Sequence, residues 1–260
     1  MNNYYWIIFI VLLIVILYFI ITFIRNKYSI NSTKPVIYTF KNKTSKPNIL
    51  IVSGTHGNES GPAHAISNLI KSGNISKLLP NGTYHIVPYV NYDAIVSDVR
   101  HLWYQPDINR TYAEGKYHQI NKTLLPYINS ADLVIDFHEA ISYYKCSNKK
   151  SVGQTIQCNC NLFYPMIDSV VDEVTKHFDF DYCMQWTNLI DAKRINGTLR
   201  DYCTNKKIPH ILIELSGQNN IVPASVRSEE TIFILKKLLD LYSSKYVSVI
   251  NHNFDKSKFK

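Results

Sequence analysis

Residues 48–62 read NILIVSGTHGNESGP, an apolar run that stops at Gly54 and is followed at once by His56 and Glu59. Four consecutive apolar side chains, Ile49 to Val52, bounded by Pro47 and Gly54, predict a buried strand. Gly57 and Gly61 suit the sharp turn that follows. In open α/β sheets the loops at the carboxyl ends of strands converge over the sheet edge, and functional groups gather there. The stretch therefore predicts an α/β fold in which a buried strand delivers an imidazole and a carboxylate to a loop.

That pair suits zinc, which binds imidazole nitrogen and carboxylate oxygen and, in catalytic sites, takes three protein ligands plus one open position. A third ligand is supplied by residues 131–138, ADLVIDFH, where a second apolar run, Leu133 to Ile135, ends in His138 at the same kind of strand terminus. Taken alone, His-x-x-Glu also describes a surface pair on a helix, and His138 alone also describes a core histidine. Asp136, two residues before His138, points to the same side of a strand, where it either orients a metal ligand or caps a loop amide. Glu139 would face the other way if the strand continued and is left outside the site.

Four segments in order carry a family resemblance: GTHGNE at 54–59, Asn109-Arg110 within DINRTY, DFH at 136–138 and GTLRDYCTNKKIPHILIEL at 197–215. Together they resemble the zinc carboxypeptidase superfamily, including its succinylglutamate desuccinylase and aspartoacylase branch, over residues 45–240. The resemblance implies a mixed, mostly parallel sheet flanked by helices and one zinc ion held by His56, Glu59 and His138. It makes Glu214 the general base and Arg100 the group that polarises the scissile carbonyl. Asn109 and Arg110 then hold a terminal carboxylate, for which a guanidinium offers a planar fork of donors. Leu199 and Arg200 lie near the specificity position: Arg200 in the pocket favours an acidic substrate side chain, Leu199 an apolar one, and Arg200 also fits a plain helix surface. The run at 211–215, ILIEL, agrees independently, because a carboxylate there is expensive to bury without a partner or a task.

The implied activity is zinc-dependent hydrolysis of an amide bond next to a free carboxylate, on a small peptide or an N-acyl amino acid. The alternative is a catalytically inactive, membrane-tethered binding domain that retains the fold. Two departures leave substrate choice open. Residues 187–197 lack the tyrosine that the peptidases carry before the catalytic glutamate, and only 46 residues follow Glu214, too few for the β-rich domain of the aspartoacylase branch.

Tyr4–Ile24 is an uncharged stretch of 21 residues, long enough for a hydrocarbon core and longer than the apolar region of a signal peptide. The expected organisation is a transmembrane anchor at 1–27, a polar tether with an edge strand near 36–40 at 28–46, a catalytic domain at 47–248 and a basic tail at 249–260. Lys256, Lys258 and Lys260 in that tail could lie against an anionic membrane. Arg25 and Lys27 follow the apolar stretch and no cation precedes it, which places the domain on the cytoplasmic side by the positive-inside rule. Five cysteines leave at least one unpaired, and Cys158-x-Cys160 is too closely spaced for a structural zinc pair. Net charge is +8, yet only six of the 28 basic residues are arginine and no basic cluster alternates with aromatics, so no nucleic-acid partner is expected. The sequence does not indicate an oligomeric state. Helices are expected at 63–71, 162–178, 197–205 with Thr198 as N-cap, and 229–246; strands at 84–89, 182–186 and 208–215.

Overall fold

The computed structural model describes residues 3–30, 33–146, 151–190, 192–218 and 220–245, so the expected basic tail lies outside the described residues. A long apolar helix, α1 (Asn3–Ile30), precedes the domain. The domain runs through β1 (Tyr38–Asn42), β2 (Asn48–Ser53), α2 (Gly61–Lys71), α3 (Ile75–Leu78), β3 (Gly82–Val87), α4 (Tyr92–Val96), α5 (Gln119–Ser130) and β4 (Leu133–Ala140). It continues with β5 (Thr155–Cys158), α6 (Tyr164–Phe178), β6 (Thr187–Asn188), α7 (Leu199–Lys206), β7 (His210–Ser216) and α8 (Ala224–Lys245).

Seven strands form one sheet in the order β1-β3-β2-β4-β7-β5-β6. β3, β2, β4 and β7 run parallel side by side, while β1 and β5 join them antiparallel. The expected mixed, mostly parallel sheet is what forms. Alternation along β2 sends Ile49 and Ile51 to one face and Leu50 and Val52 to the other, and each pair enters a different core. The first core packs under α2, α6 and α8 through residues such as Ile66, Ile167, Val170, Leu235 and Leu238. The second packs under α5 and α7 through Ile120, Leu124, Ile128, Leu199 and Tyr202. β2 and β4 are buried on both faces, which is why they read as apolar runs with few interruptions.

Several expectations hold with small shifts. The edge strand at 36–40 is β1, and Thr198 caps α7 by accepting from Asp201 N at 3.1 Å. Three differ. Residues 182–186 are not a strand: Tyr182–Met184 form a 3-10 turn, and the strand that pairs with β5 is Thr187–Asn188. β4 does not stop at His138 but continues to Ala140. The segment leading into the domain is not a loose tether from Thr33 onward, because Thr33 donates to the Asp93 carboxylate and Ile37 and Phe40 pack against the two cores. A disulfide also joins Cys146 to Cys183, with Cα atoms 5.1 Å apart, while Cys158, Cys160 and Cys203 are buried outside any disulfide.

Candidate metal centre

The first two expected ligands sit in the loop that leaves β2. Glycine is needed at 57 because a Cβ there would collide with the backbone oxygens of Ala94 and Val99, and at 61 because one would strike the Glu139 carboxylate. With these close approaches the chain doubles back within a few residues, and α2 starts at Gly61 directly behind Glu59. β4 brings Asp136 and His138 to the same edge on one face, two residues apart. On the neighbouring strand, His138 stands in register with Glu214.

His56, Glu59 and His138 are all buried, and one donor atom from each lies within 4.8 Å of the others. Their donor atoms face one another. His56 Nδ1 is 2.8 Å from Glu59 Oε1, and His138 Nδ1 is 2.7 Å from Glu59 Oε2. The far nitrogen of each ring is backed by a carboxylate: His56 Nε2 is 3.0 Å from Asp107 Oδ1, and His138 Nε2 is 3.3 Å from Asp136 Oδ1. A carboxylate behind a ligating histidine fixes the ring and raises its basicity, and it leaves the opposite nitrogen turned toward the metal. Two imidazole nitrogens and one carboxylate oxygen, converging from buried positions, form the donor set of a catalytic zinc site. The residues present fit the ion.

The electrostatics follow from this packing. Burial by itself would raise the Glu59 carboxyl, but the nearby imidazoles of His56 and then His138 hold it well below the usual carboxylate range. Burial would likewise lower His138; Asp136 and Glu59 overcome it and raise the imidazole well above its ordinary value. Asp107 and Asp136 are held low against their own burial, Asp107 chiefly by His56 and then Arg100, Asp136 by His138 and then His210. Glu214 behaves in the opposite way. Burial pushes it up to about 8, with Glu59 and Asp136 adding to the rise and His138 opposing it. Among the described residues it is thus a carboxylate kept from a tight ion pair beside a cluster that is tightly paired.

A cavity of about 360 Å³ opens over these groups. All eight expected site residues line it: His56, Glu59, Arg100, Asn109, Arg110, His138, Arg200 and Glu214. Their engagements differ. Arg100 donates to Glu59 Oε1 at 3.1 Å and grips Asp107 Oδ2 through Nε and Nη2 at 3.2 and 3.0 Å, so its guanidinium is bound to the ligand cluster. Asn109 Oδ1 accepts from Leu199 N at 2.9 Å and ties the loop to the start of α7. Arg110 is exposed, with Nη1 on the Asn109 carbonyl oxygen. Arg200 turns into the cavity wall, where it donates to Gln157 Oε1 at 3.0 Å, whereas Leu199 is buried in the second core.

Three further groups join the site that the motifs did not reveal. Asp107 precedes Asn109-Arg110 in the same DINR run and closes on His56 across 51 positions. Gln218 donates to Glu59 Oε1 at 3.2 Å and to the Glu139 carbonyl oxygen, from the loop after β7. Glu139 lines the cavity; its backbone N donates to Glu59 Oε2 at 3.2 Å and its carboxylate is held by Arg227 Nη1 at 2.6 Å. The alternation along β4 does turn the Glu139 side chain away from His138, and α8 supplies its partner.

Residues 45–155 match the family model of the succinylglutamate desuccinylase/aspartoacylase catalytic domain. The structure is similar to the apo cell shape determinant protein Csd4 from Helicobacter pylori, with a TM-score of 0.67 and 14% identity over 84% of this chain and 58% of that one. The family model covers less than half of the chain, and at such low identity the structural likeness shows a shared fold. The structure also resembles that of a proposed metallopeptidase from Shewanella amazonensis, with a TM-score of 0.61 and 14% identity over 86% of this chain and 91% of that one. The mDAP-bound form of Csd4, described as a D,L-carboxypeptidase, aligns with a TM-score of 0.63 and 15% identity over 79% of this chain and 54% of that one. The chain thus spans less than two thirds of the length of Csd4. No curated protein sequence matches it.

Proposed function

We propose that the protein is a membrane-anchored, zinc-dependent hydrolase that cleaves an amide bond next to a free carboxylate, as a carboxypeptidase or an N-acyl amino acid deacylase. The observation that carries this reading is the convergence of His56, Glu59 and His138 beside an in-register Glu214 in a single cavity. Similarity to Csd4, which has been seen with a tripeptide and with mDAP, supports a small peptide-like substrate.

His56, Glu59 and His138 would hold one zinc ion, which when bound acts as a Lewis acid and makes water a nucleophile near neutral pH. The chain's own groups do the rest. Arg110 pairs with the substrate carboxylate and, with Asn109 fixing its loop to α7, sets the distance from the amide carbonyl to the ligand cluster. Glu214 takes a proton from the attacking water and passes it to the leaving nitrogen, a role that its upward-shifted carboxyl suits. Arg100 faces the developing oxyanion while it also braces Glu59. Arg200, half-buried in the wall, favours an acidic group at the specificity end of the cavity.

The test is a panel of C-terminal amino-acid peptides and N-acyl amino acids, acidic and apolar, offered to wild type and Glu214→Gln with zinc quantified in both. Wild type is expected to turn over at least one class. The variant should keep its zinc and lose on the order of 10²–10⁴-fold in rate. Equal rates in the two proteins overturn the assignment of Glu214. A zinc-loaded wild type that binds but never cleaves any panel member makes the domain a binding module instead.

A further inference from the structure

Outside α1, eleven large apolar side chains are exposed among the described residues, and six of them flank one contact. That contact is Thr33, whose backbone N and Oγ1 both donate to the Asp93 carboxylate on α4, at 2.9 and 2.6 Å. On the tether side stand Val36 and Tyr38. On the α4 side stand Tyr92, Val96, Val99 and Trp103, of which Val96 and Trp103 are 67% and 63% exposed. Tyr92 and Val96 are four residues apart on α4 and share a face, with Val96 one turn from Asp93.

We propose that this face, built on α4 and the 97–103 loop around the Thr33–Asp93 contact, seats against the headgroup and acyl boundary of the bilayer that α1 enters. The proposal rests on the reading of α1 as a retained anchor. Chain length then fixes where the face lies. From Ile24, the last residue of the apolar span, six helical residues reach Ile30 and three more reach Thr33. At about 1.5 Å per helical residue and no more than about 3.6 Å per extended one, Thr33 cannot stand more than roughly 20 Å from the edge of the hydrocarbon, and the Asp93 carboxylate is one hydrogen bond further. The headgroup layer takes up about 5–8 Å of that span. A tryptophan, a tyrosine and two valines on the segment tethered this close to the bilayer match an interface, where amphipathic rings settle and apolar area leaves water. Contiguous exposed apolar groups are otherwise a liability for a soluble surface.

Seating has a consequence for the cavity. Arg100 lies one residue from Val99 and three from Trp103, and its guanidinium reaches Glu59 and Asp107. Its carbonyl also accepts from Gly57 N at 3.3 Å, in the loop that carries His56. The membrane-facing loop and the cavity wall are one segment.

The experiment uses the full chain, one copy per phosphatidylcholine nanodisc, with plain or acyl-brominated lipid. The chain has tryptophans only at 6, 103 and 186, and Trp186 is buried in the first core. In Trp6→Phe, emission from Trp103 is expected to fall about twofold in brominated lipid, as an interfacial depth of roughly 5–10 Å requires. Trp6→Phe/Trp103→Phe, which reports Trp186 alone, should show no change. Val96→Asp should weaken the quenching of Trp103 without altering the fold, since Val96 packs on little. Trp103→Phe leaves Trp6 as a reporter of the anchor. Quenching of Trp6 with none of Trp103 overturns the proposal and leaves the anchor standing. If Trp6 is not quenched either, the anchor reading fails and this inference fails with it.

Discussion

Asp107→Asn removes a charge and almost no volume, and it isolates what the carboxylate behind His56 contributes. Asp107 accepts from four donors: His56 Nε2 at 3.0 Å, Asn109 N at 2.9 Å, and Arg100 Nε and Nη2 at 3.2 and 3.0 Å. An asparagine keeps the oxygen that meets His56 and Asn109 but turns an amide NH₂ toward two guanidinium donors. The Arg100 arm is worth little by itself, because its side chain is 39% exposed and screened by water. The His56 arm is largely buried and acts directly on a ligand. Loss of the charge on such a partner is expected to weaken metal binding about 10–100-fold, or roughly 1.4–2.7 kcal/mol. Competition between protein and a chromogenic zinc chelator measures this, with circular dichroism to confirm that both proteins are folded. Arg100→Gln, made in parallel, should weaken zinc binding by less than Asp107→Asn. An Asp107→Asn protein that is folded and binds zinc within about threefold of wild type would refute the reasoning that this carboxylate orients His56.

Two other predictions concern the rest of the domain. Glu230 on α8 accepts from Gln154 Nε2 at 2.6 Å and Trp186 Nε1 at 3.0 Å through Oε1, while Oε2 is buried with no partner, and burial raises the carboxyl from 4.5 to about 7. The folded state therefore holds this proton more tightly than the unfolded chain, so stability falls as pH rises from 4.5 through 7, by on the order of 3 kcal/mol at about 1.36 kcal/mol per unit. Urea titrations at pH 5 and pH 8 should show that difference shrink in Glu230→Gln; an unchanged difference removes Glu230 as its source. The Cys146–Cys183 bond is of a kind that cytosolic thiols keep reduced. It argues for the domain facing an oxidising compartment, against the side that Arg25 and Lys27 suggest. Alkylation before and after reduction, combined with protease protection of sealed vesicles, should find the bond intact and the domain on the oxidising side; a free Cys146 thiol in the isolated protein would contradict this.

Much of the site was legible because it lies at the ends of three central strands. β2 and β4 are buried on both faces and β7 along one face and at its ends, so each shows as a run of apolar residues, and the polar residue that interrupts or follows the run is the one with a task. His56, His138 and Glu214 all follow this rule. What sequence reading missed depends on long-range pairing. Asp107, Gln218 and the Glu139–Arg227 pair matter through partners 51, 159 and 88 positions away, and nothing local marks them. β5 escaped notice because TIQC is short and half polar, yet it is fully buried between β7 and β6. α5 carried a readable stripe in Ile120, Leu124 and Ile128, with Pro126 inside the helix to obscure it. The parity of five cysteines allowed a disulfide but could not choose its ends.

The central claim is that His56, Glu59 and His138 hold one metal ion. Its most direct test is the zinc content per chain by mass spectrometry, after chelation and reloading, in wild type, His56→Ala, His138→Ala and Glu214→Gln. The account predicts about one zinc per chain in wild type and Glu214→Gln and a large loss in both histidine variants, each still folded. Equal zinc in wild type and the histidine variants, or none in any of them, would contradict it.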